Sequence, residues 1–180
     1  MSQAKGAQSR PTLLSSCARA ATAAEARYRI SAREFTHRSS RVIALDPWSA
    51  AIIGDVATVT WRGGHFLAFE SALPDDAMLR RAPLESQGHN ATTALLSEEL
   101  DGADTVVMVA SAQGSATAAS LIGDAAAARG IMSAGLVLPG PGAPLASPAG
   151  IVPALRPNAM VLVILRDTTD LREVLAALRV

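Results

Sequence analysis

The fold is decided by a stretch that starts with Thr105-Val-Val-Met-Val-Ala110, turns through Ser111-Ala-Gln-Gly-Ser115 and continues as the alanine-rich residues 116–129. The first run is continuously apolar, which is typical of a strand covered on both faces. The second is a polar turn, and the third predicts a helix that Gly130 closes. This order of strand, turn and helix predicts one unit of a layered α/β domain.

Further apolar runs extend this unit towards the C-terminus. The predicted elements are a strand at residues 131–138, a break at 139–142, a helical turn at 149–155, a strand at 159–165 and a helix at 171–178 capped by Thr169 or Asp170. Consecutive strand–helix–strand units connect by right-handed crossovers, so these strands are expected to run parallel in one sheet. The sequence therefore predicts at least three parallel strands.

The preceding part of the chain predicts an antiparallel hairpin at one edge of that sheet. A strand at residues 41–45 is stopped by Asp46-Pro47. Residues 55–61 and 65–70 are rich in β-forming side chains, and Gly63 and Gly64 between them permit the positive φ of a tight loop. Two further elements are predicted after the hairpin. Residues 73–88 form a surface connection, and a helix capped by Asn90 runs to about Leu100. The predicted fold class is α/β, with a mainly parallel sheet and an antiparallel hairpin.

Composition and charge divide the 180 residues into two parts. Residues 1–41 hold eight basic and two acidic side chains, a net charge of +6, and the remainder carries −6. We predict a basic, loosely ordered arm at residues 1–40 and a single α/β domain at 41–180; an organelle transit peptide is the alternative interpretation of the arm. Cys17 is the only cysteine, which excludes an internal disulfide and fits a cytoplasmic location.

The turn after the first predicted buried strand is the best candidate for a ligand site. Ligands on open parallel sheets bind at the carboxyl ends of the strands, where helix N-termini favour anions. The residues predicted to bind such an anion are Ser111, Gln113, Gly114, Ser115 and Thr117. In the alternative, purely structural interpretation, Ser115 caps the helix and Gly114 permits the turn. The chain has neither a Walker A lysine nor a G-x-G-x-x-G pattern, and no cofactor is predicted.

At these residues the chain resembles sugar isomerase (SIS) domains, which bind phosphosugars. The matching pieces, within residues 103–150, are a buried strand, the turn Ser111-Ala112-Gln113-Gly114-Ser115 with Thr117, Gly130 at the end of a helix, and Ala143-Pro144-Leu145-Ala146 in a later loop. The resemblance implies that Ser111, Ser115 and Thr117 contact a phosphate. The same stretch is also similar to the strand–helix–strand of tubulin-like GTPases, with a different loop sequence.

Catalytic candidates are few. His89 with Glu85 is one candidate for acid–base chemistry, and Asp167, just past the third predicted strand, is another. No two histidines have the spacing of a local metal site, so no metal is predicted. His65 and His37 carry no further signal.

Two functions of different classes remain. The first is a domain, enzyme or sensor, that binds a phosphorylated or anionic small metabolite at residues 111–117. The second is a non-catalytic assembly subunit that packs through its alanine-rich helix and hairpin in a homo-oligomer or against a partner subunit. Nucleic acid is not expected as a partner, because the domain after the arm is acidic. A membrane-spanning helix is excluded, because no run of 18 uninterrupted apolar residues occurs.

Overall fold

A computed structural model describes residues 38–82, 92–140 and 150–180. In chain order the elements are β1 (Ser40–Ala44), α1 (Pro47–Ala57), β2 (Gly64–Ala72), β3 (Ala77–Arg81), β4 (Thr93–Leu95), α2 (Leu96–Leu100), β5 (Thr105–Ala110), α3 (Ala116–Ala128), β6 (Met132–Val137), α4 (Val152–Leu155), β7 (Val161–Ile164) and α5 (Asp170–Ala177). Residues 1–37 of the predicted arm, with Cys17 and His37, lie outside the described residues, so the arm stays a prediction; its last residue, Ser40, begins β1.

The described strands form one sheet in the order β4-β3-β2-β1-β5-β6-β7. β1 pairs in parallel with β2 and β5, and β5, β6 and β7 continue the parallel ladder. β3 pairs antiparallel with β2 and β4 at the opposite edge. The predicted class, α/β with a mainly parallel sheet and an antiparallel pair at one edge, is confirmed. From β1 the chain adds β2, β3 and β4 on one side of the sheet. It then returns to the other side of β1, where it adds β5, β6 and β7.

Helices cover both faces of the sheet. On one face, Ile53 of α1 and Leu171 of α5 pack against Val42 of β1. On the other face, Ile122 of α3 packs in the cluster that contains Ile43 of β1, together with side chains of α2 and α4. Successive residues of a strand point to opposite faces, and β1 is buried along its whole length because both of its faces are covered. The continuously apolar sequences of β1 and β5 are explained by this double coverage.

The predicted hairpin of residues 55–61 and 65–70 is wrong. Asp46 begins α1 instead of ending a strand in a turn, because its carboxylate accepts a hydrogen bond from the Ser49 N–H at 2.9 Å and Pro47 occupies the first turn. Residues 55–57 are therefore the last residues of that helix. β2 pairs in parallel with β1, and its antiparallel neighbour is β3, which lies within the stretch predicted as a surface connection.

The other boundaries follow the prediction more closely. The helix predicted from Asn90 to about Leu100 is wrong at residues 93–95, which form the strand β4 because they pair with β3; only its end, Leu96–Leu100, is helical, as α2. Its predicted cap, Asn90, lies outside the described residues. The strands and helices predicted from residue 105 onwards are present within two residues at the boundaries that the structure describes, and α5 begins at Asp170. None of the described helices is long and apolar enough to cross a membrane.

Candidate functional site

The turn between β5 and α3 lies at the topological switch point of the sheet. β1 leads to α1 on one face and β5 leads to α3 on the other, so the two loops diverge above adjacent strands. Open α/β sheets bind ligands in the crevice that such divergence creates. The structure brings the predicted ligand residues together in this one turn: Ser111, Gln113, Gly114, Ser115 and Thr117.

Ser111 organises the first half of the turn. Its N–H donates to Asp46 Oδ2 at 2.8 Å, which joins the loop after β5 to the loop after β1. Its own Oγ accepts from the Gln113 N–H at 3.2 Å, and its carbonyl accepts from the Gly114 N–H at 3.0 Å. Ser111 is buried. These contacts make the turn a preformed structure that needs no ligand to hold its shape.

Ser115 and Gly114 have clear local roles in the second half of the turn. Ser115 Oγ accepts from the Ala118 N–H at 3.2 Å and caps α3, and the Ser115 N–H donates to the Leu45 carbonyl at 3.1 Å. A Cβ atom added to Gly114 would lie 2.7 Å from Ala110 Cβ, so the close approach of the turn to β5 requires glycine. Ligand binding by these residues stays a prediction.

The outer side of the turn still has unused hydrogen-bonding groups. The Ala116 and Thr117 N–H groups, in the first turn of the 13-residue α3, meet no acceptor among the described residues. The side chains of Gln113 and Thr117 are exposed beside them. Unsatisfied N–H groups and the positive end of a helix dipole attract an anion. The Asp46 carboxylate at the base of the turn opposes that attraction, so the outer rim is the favourable place for an anion.

Asp167 lies in the loop after β7. Because β7 runs parallel to β5 in the sheet, this loop and the turn of residues 111–117 both follow the carboxyl ends of their strands. Hydrogen bonds from the Thr169 hydroxyl and from the Asp170 and Thr169 N–H groups hold the pKa of the fully exposed Asp167 carboxyl below its usual value. Asp167 is therefore a carboxylate that organises the start of α5. Its role in catalysis stays a prediction. The other catalytic candidates, His89 and Glu85, lie outside the described residues.

A second polar site, at the amino end of the parallel strands, was missed by the sequence analysis. The Glu99 side chain is only 2% exposed and receives three basic side chains. Arg41 Nε lies 3.1 Å from Glu99 Oε2, Arg81 Nε lies 2.5 Å from Oε1, and His65 Nδ1 lies 3.2 Å from Oε2. The Arg41 Nε–H also donates to the Glu99 carbonyl at 2.6 Å. One buried carboxylate thus ties together β1, β2, β3 and α2.

The charge of Glu99 is stabilised despite its burial. Burial acts to raise the pKa of the Glu99 carboxyl, but hydrogen bonds from Arg81 and His65 and the charges of Arg81 and Arg41 outweigh it and lower the pKa. The cluster carries a surplus of positive charge, because two guanidinium groups share one carboxylate. Arg41 is nearly buried, whereas the side chain of Arg81 is 47% exposed and that of His65 is 58% exposed.

A cavity of about 520 Å³ adjoins this cluster. It is lined by Ala57, Val59, Thr60, Trp61, Gly64, His65, Phe66, Leu67, Arg81 and Ala82. Trp61 and Phe66 form one wall, with ring centroids 5.7 Å apart, and the Trp61 Nε1–H donates to the Val56 carbonyl at 3.0 Å. His65 and Arg81 belong to both the cavity and the Glu99 cluster. The described residues contain no group of three or more His, Cys, Asp or Glu side chains placed to hold a metal ion.

Comparisons with known proteins do not assign this chain to a family. No family model matches the sequence, and no curated protein matches it. A solved structure of a secreted C11 cysteine protease from Bacteroides thetaiotaomicron, "iotapain", is similar to this chain with a TM-score of 0.35 and 8% sequence identity. The match covers 72% of this chain and 52% of that chain, so it spans about half the length of the protease. The function is therefore argued from the residues of this chain.

Proposed function

We propose that this α/β domain binds a phosphorylated or otherwise anionic small molecule at the turn of residues 111–117. The observation that carries the proposal is the pair of N–H groups at Ala116 and Thr117, which meet no acceptor in the part of the chain that the structure describes and begin a 13-residue helix at the switch point of the sheet. The helix dipole adds a partial positive charge at the same point. Such a site suits two oxygen atoms of a phosphate or carboxylate group.

Some side chains of the turn stabilise its structure, and others are proposed to contact the ligand. Gln113 and Thr117 are exposed and are proposed to donate to the anion from its two sides. The hydroxyl of Ser115 accepts from a backbone N–H and retains its hydrogen for a ligand oxygen. Asp46 already satisfies the Ser111 N–H and carries a negative charge. The anion is therefore proposed to lie above Thr117 and not beside Ser111.

The decisive variant adds a negative charge where the anion is proposed to bind. Glu at position 117 suits a helix N-terminus, so Thr117→Glu should fold normally while it repels the ligand. Ser120→Glu is a matched control, because it adds the same charge at an exposed position of the same helix, about one turn later. Calorimetric titration and thermal-shift measurements with inorganic phosphate, pyrophosphate and sugar phosphates measure the binding. We expect Thr117→Glu to raise the dissociation constant of the anion at least about tenfold. Ser120→Glu is expected to raise it by less than about threefold, which is half of that effect in free energy.

Two results would overturn this proposal. One is that none of these anions stabilises the wild-type protein. The other is that Thr117→Glu and Ser120→Glu weaken binding equally, which would show a general effect of charge and no contact at the turn.

The Glu99 cluster offers a second position for the same class of ligand. Its surplus positive charge and the adjoining cavity favour an anion that also carries an apolar part, which the Trp61 and Phe66 wall would contact. Arg81→Gln tests this position, because Arg81 is half exposed and its loss leaves the Arg41–Glu99 pair in place. If Arg81→Gln lowers the affinity for the anion and Thr117→Glu leaves it unchanged, the anion binds at the cavity and not at the turn.

The alternative function, an assembly subunit that packs through its alanine-rich helix, stays a prediction, although part of that helix is used within the chain. Ala118, Ala119 and Ala126 of α3 are buried within their own chain. A Cβ atom added to Gly123 would collide with the side chain of Asn158. The buried small residues therefore allow α3 to pack closely inside this chain, whereas Ala116, Ala127 and Ala128 of the same helix are exposed. An exposed apolar surface does occur elsewhere, at the far edge of the sheet.

A further inference from the structure

The edge strand β7 exposes an apolar surface. Met160, just before the strand, is 76% exposed, Val161 is 44% exposed and Ile164 is 51% exposed. The strand sequence, Val161-Leu-Val-Ile164, contains neither a charged residue nor a proline. Natural sheet edges are usually protected by such residues, because an unprotected edge pairs with other strands. β7 therefore has the composition of a strand that is covered in an assembly.

The backbone of β7 restricts what can cover it. The Leu165 N–H donates to the Val137 carbonyl of β6 at 2.9 Å. Because N–H and C=O groups alternate in direction along a strand, those of Leu162 and Ile164 point away from β6, towards the open edge. β7 pairs only with β6 among the described strands. An occupant that satisfies these groups has to be an extended strand, and its side chains have to be apolar to suit those exposed on β7.

We propose that β7 pairs with β7 of a second copy of this chain, antiparallel, across a two-fold axis at Leu162. An axis perpendicular to the sheet keeps each face on its own side, so a residue can oppose only a residue whose side chain lies on the same face. With the axis at Leu162, the exposed Met160 opposes the exposed Ile164 of the second copy, and Val161 opposes Val163. Every opposed pair in this register is apolar.

The same register uses the outward backbone groups of Leu162 and Ile164, which have no partner among the described residues. Leu162 opposes its own counterpart, so the two copies exchange a pair of N–H···O=C bonds at the axis. The Ile164 N–H of each copy donates to the Met160 carbonyl of the other, which adds two more bonds. The unpaired backbone groups are compatible with this register, and the exposed side chains select it.

Other arrangements fit less well. An axis at Val163 would oppose Met160 with the charged Arg166, so an apolar contact would be lost on each side. Pairing of β7 with the other edge strand, β4, is limited to three residues, Thr93–Leu95. It would also join copies head to tail in a ring or an open chain, whereas pairing of β7 with itself closes as a dimer. This inference goes beyond the proposed function and does not depend on it.

The oligomeric state of the full chain tests the inference. Light scattering after size-exclusion chromatography, over a dilution series, is expected to show a dimer that dissociates on dilution. Ile164→Lys should raise the dissociation constant on the order of 100-fold, because each dimer loses two apolar contacts and gains two charges at the interface. Met160→Lys, at the most exposed of these positions, should act in the same direction. Val59→Lys is the control, because Val59 is 43% exposed but lies beside β2 and β3, on the other side of β1 from β7.

A monomer at every concentration would overturn the inference, as would a dimer that is unaffected by both Lys substitutions at β7. Circular dichroism establishes that each variant is folded. Met160→Lys keeps the test valid even where Ile164→Lys fails to fold, because Met160 is 76% exposed and a lysine is tolerated there.

Cysteine cross-linking tests the register. In a Cys17→Ser background, Leu162→Cys places two thiols on the axis, with their Cα atoms about 5.5 Å apart, within the range of a disulfide. Mild oxidation should give a covalent dimer. Val163→Cys is the matched control and should cross-link poorly, because in this register Val163 opposes Val161. Cross-linking of Val163→Cys in preference to Leu162→Cys would overturn the proposed axis.

Discussion

Replacement of Glu99 by glutamine is the sharpest test of how the amino end of the sheet is held. Glutamine keeps the shape of the side chain and removes its charge. Arg41, which is 7% exposed, would then be a nearly buried cation without a counter-ion. Breaking one partner out of a buried ion pair typically costs 3–5 kcal/mol, and because the glutamine oxygen still accepts one hydrogen bond, we expect the lower end, about 3 kcal/mol.

Arg81 and His65 add little to this cost. Their side chains are about half exposed, so solvent screens their attraction to Glu99 and hydrates them once the carboxylate is gone. The loss is therefore expected to come mainly from Arg41. In a domain of this size, a loss of about 3 kcal/mol lowers the Tm on the order of 6–12 °C. Urea denaturation measures the free energy of unfolding directly.

The effect should depend on pH in one direction. The pKa of Glu99 is lowered in the folded protein, so its charge stabilises the fold fully at any pH above the ordinary pKa that this carboxyl has in the unfolded chain. That contribution is lost as the pH falls through the lower, folded-state pKa. The difference between wild type and Glu99→Gln should therefore be full near neutral pH and shrink progressively in acid.

Glu98→Gln is the matched control. Glu98 precedes Glu99 in α2, but it is exposed and its substitution should change the free energy of unfolding by less than about 0.5 kcal/mol. The reasoning would be refuted by a Glu99→Gln variant as stable as this control. It would also be refuted by a loss of equal size in acid and at neutral pH, which would point to packing and not to charge.

Two further predictions concern the turn at the carboxyl end of the sheet. Ser115→Ala removes the cap of α3 and should cost about 1 kcal/mol of unfolding free energy, whereas Ser115→Thr should retain most of it; equal losses would argue against capping. Gly114→Ala should cost about 1–3 kcal/mol, because its Cβ atom would collide with Ala110, and a variant as stable as wild type by urea denaturation would contradict the packing at this point.

The C-terminal half of the fold was predictable because its local signals agree with one another. In β5 and α3, a continuous apolar run, a serine cap and a closing glycine all indicate the same unit. The N-terminal half was harder because the signals conflict. Residues 55–61 have β-branched side chains that favour a strand, but the Asp46 cap and the packing of Ile53 and Val56 place their first three residues in a helix. At residues 55–57, helix capping and burial therefore outweigh the β propensity of the side chains.

The Glu99 cluster could not be predicted, because its members come from four separate elements. Arg41 and His65 become neighbours only when β1 and β2 pair in parallel, where they occupy opposed positions in the register. The hairpin predicted from the sequence would have removed that pairing. One local signal did exist. Glu99 lies beside Leu100 and three residues after Leu96, both buried, so a helical reading of residues 96–100 puts a carboxylate next to the core, where it needs a cationic partner.

At each end of the sheet one carboxylate joins neighbouring elements. These carboxylates stabilise the fold, and they are not the groups that are proposed to contact a ligand. At the carboxyl end, Asp46 joins the loops after β1 and β5, and at the amino end Glu99 joins β1, β2 and β3. Each carboxylate is committed to groups of its own chain. The turn of residues 111–117 consequently has its shape before any ligand arrives, and a ligand that uses only the outward groups of Gln113 and Thr117 need not order it. Preorganisation of this kind lowers the entropic cost of binding, so the anion that we propose for the switch point would need few contacts.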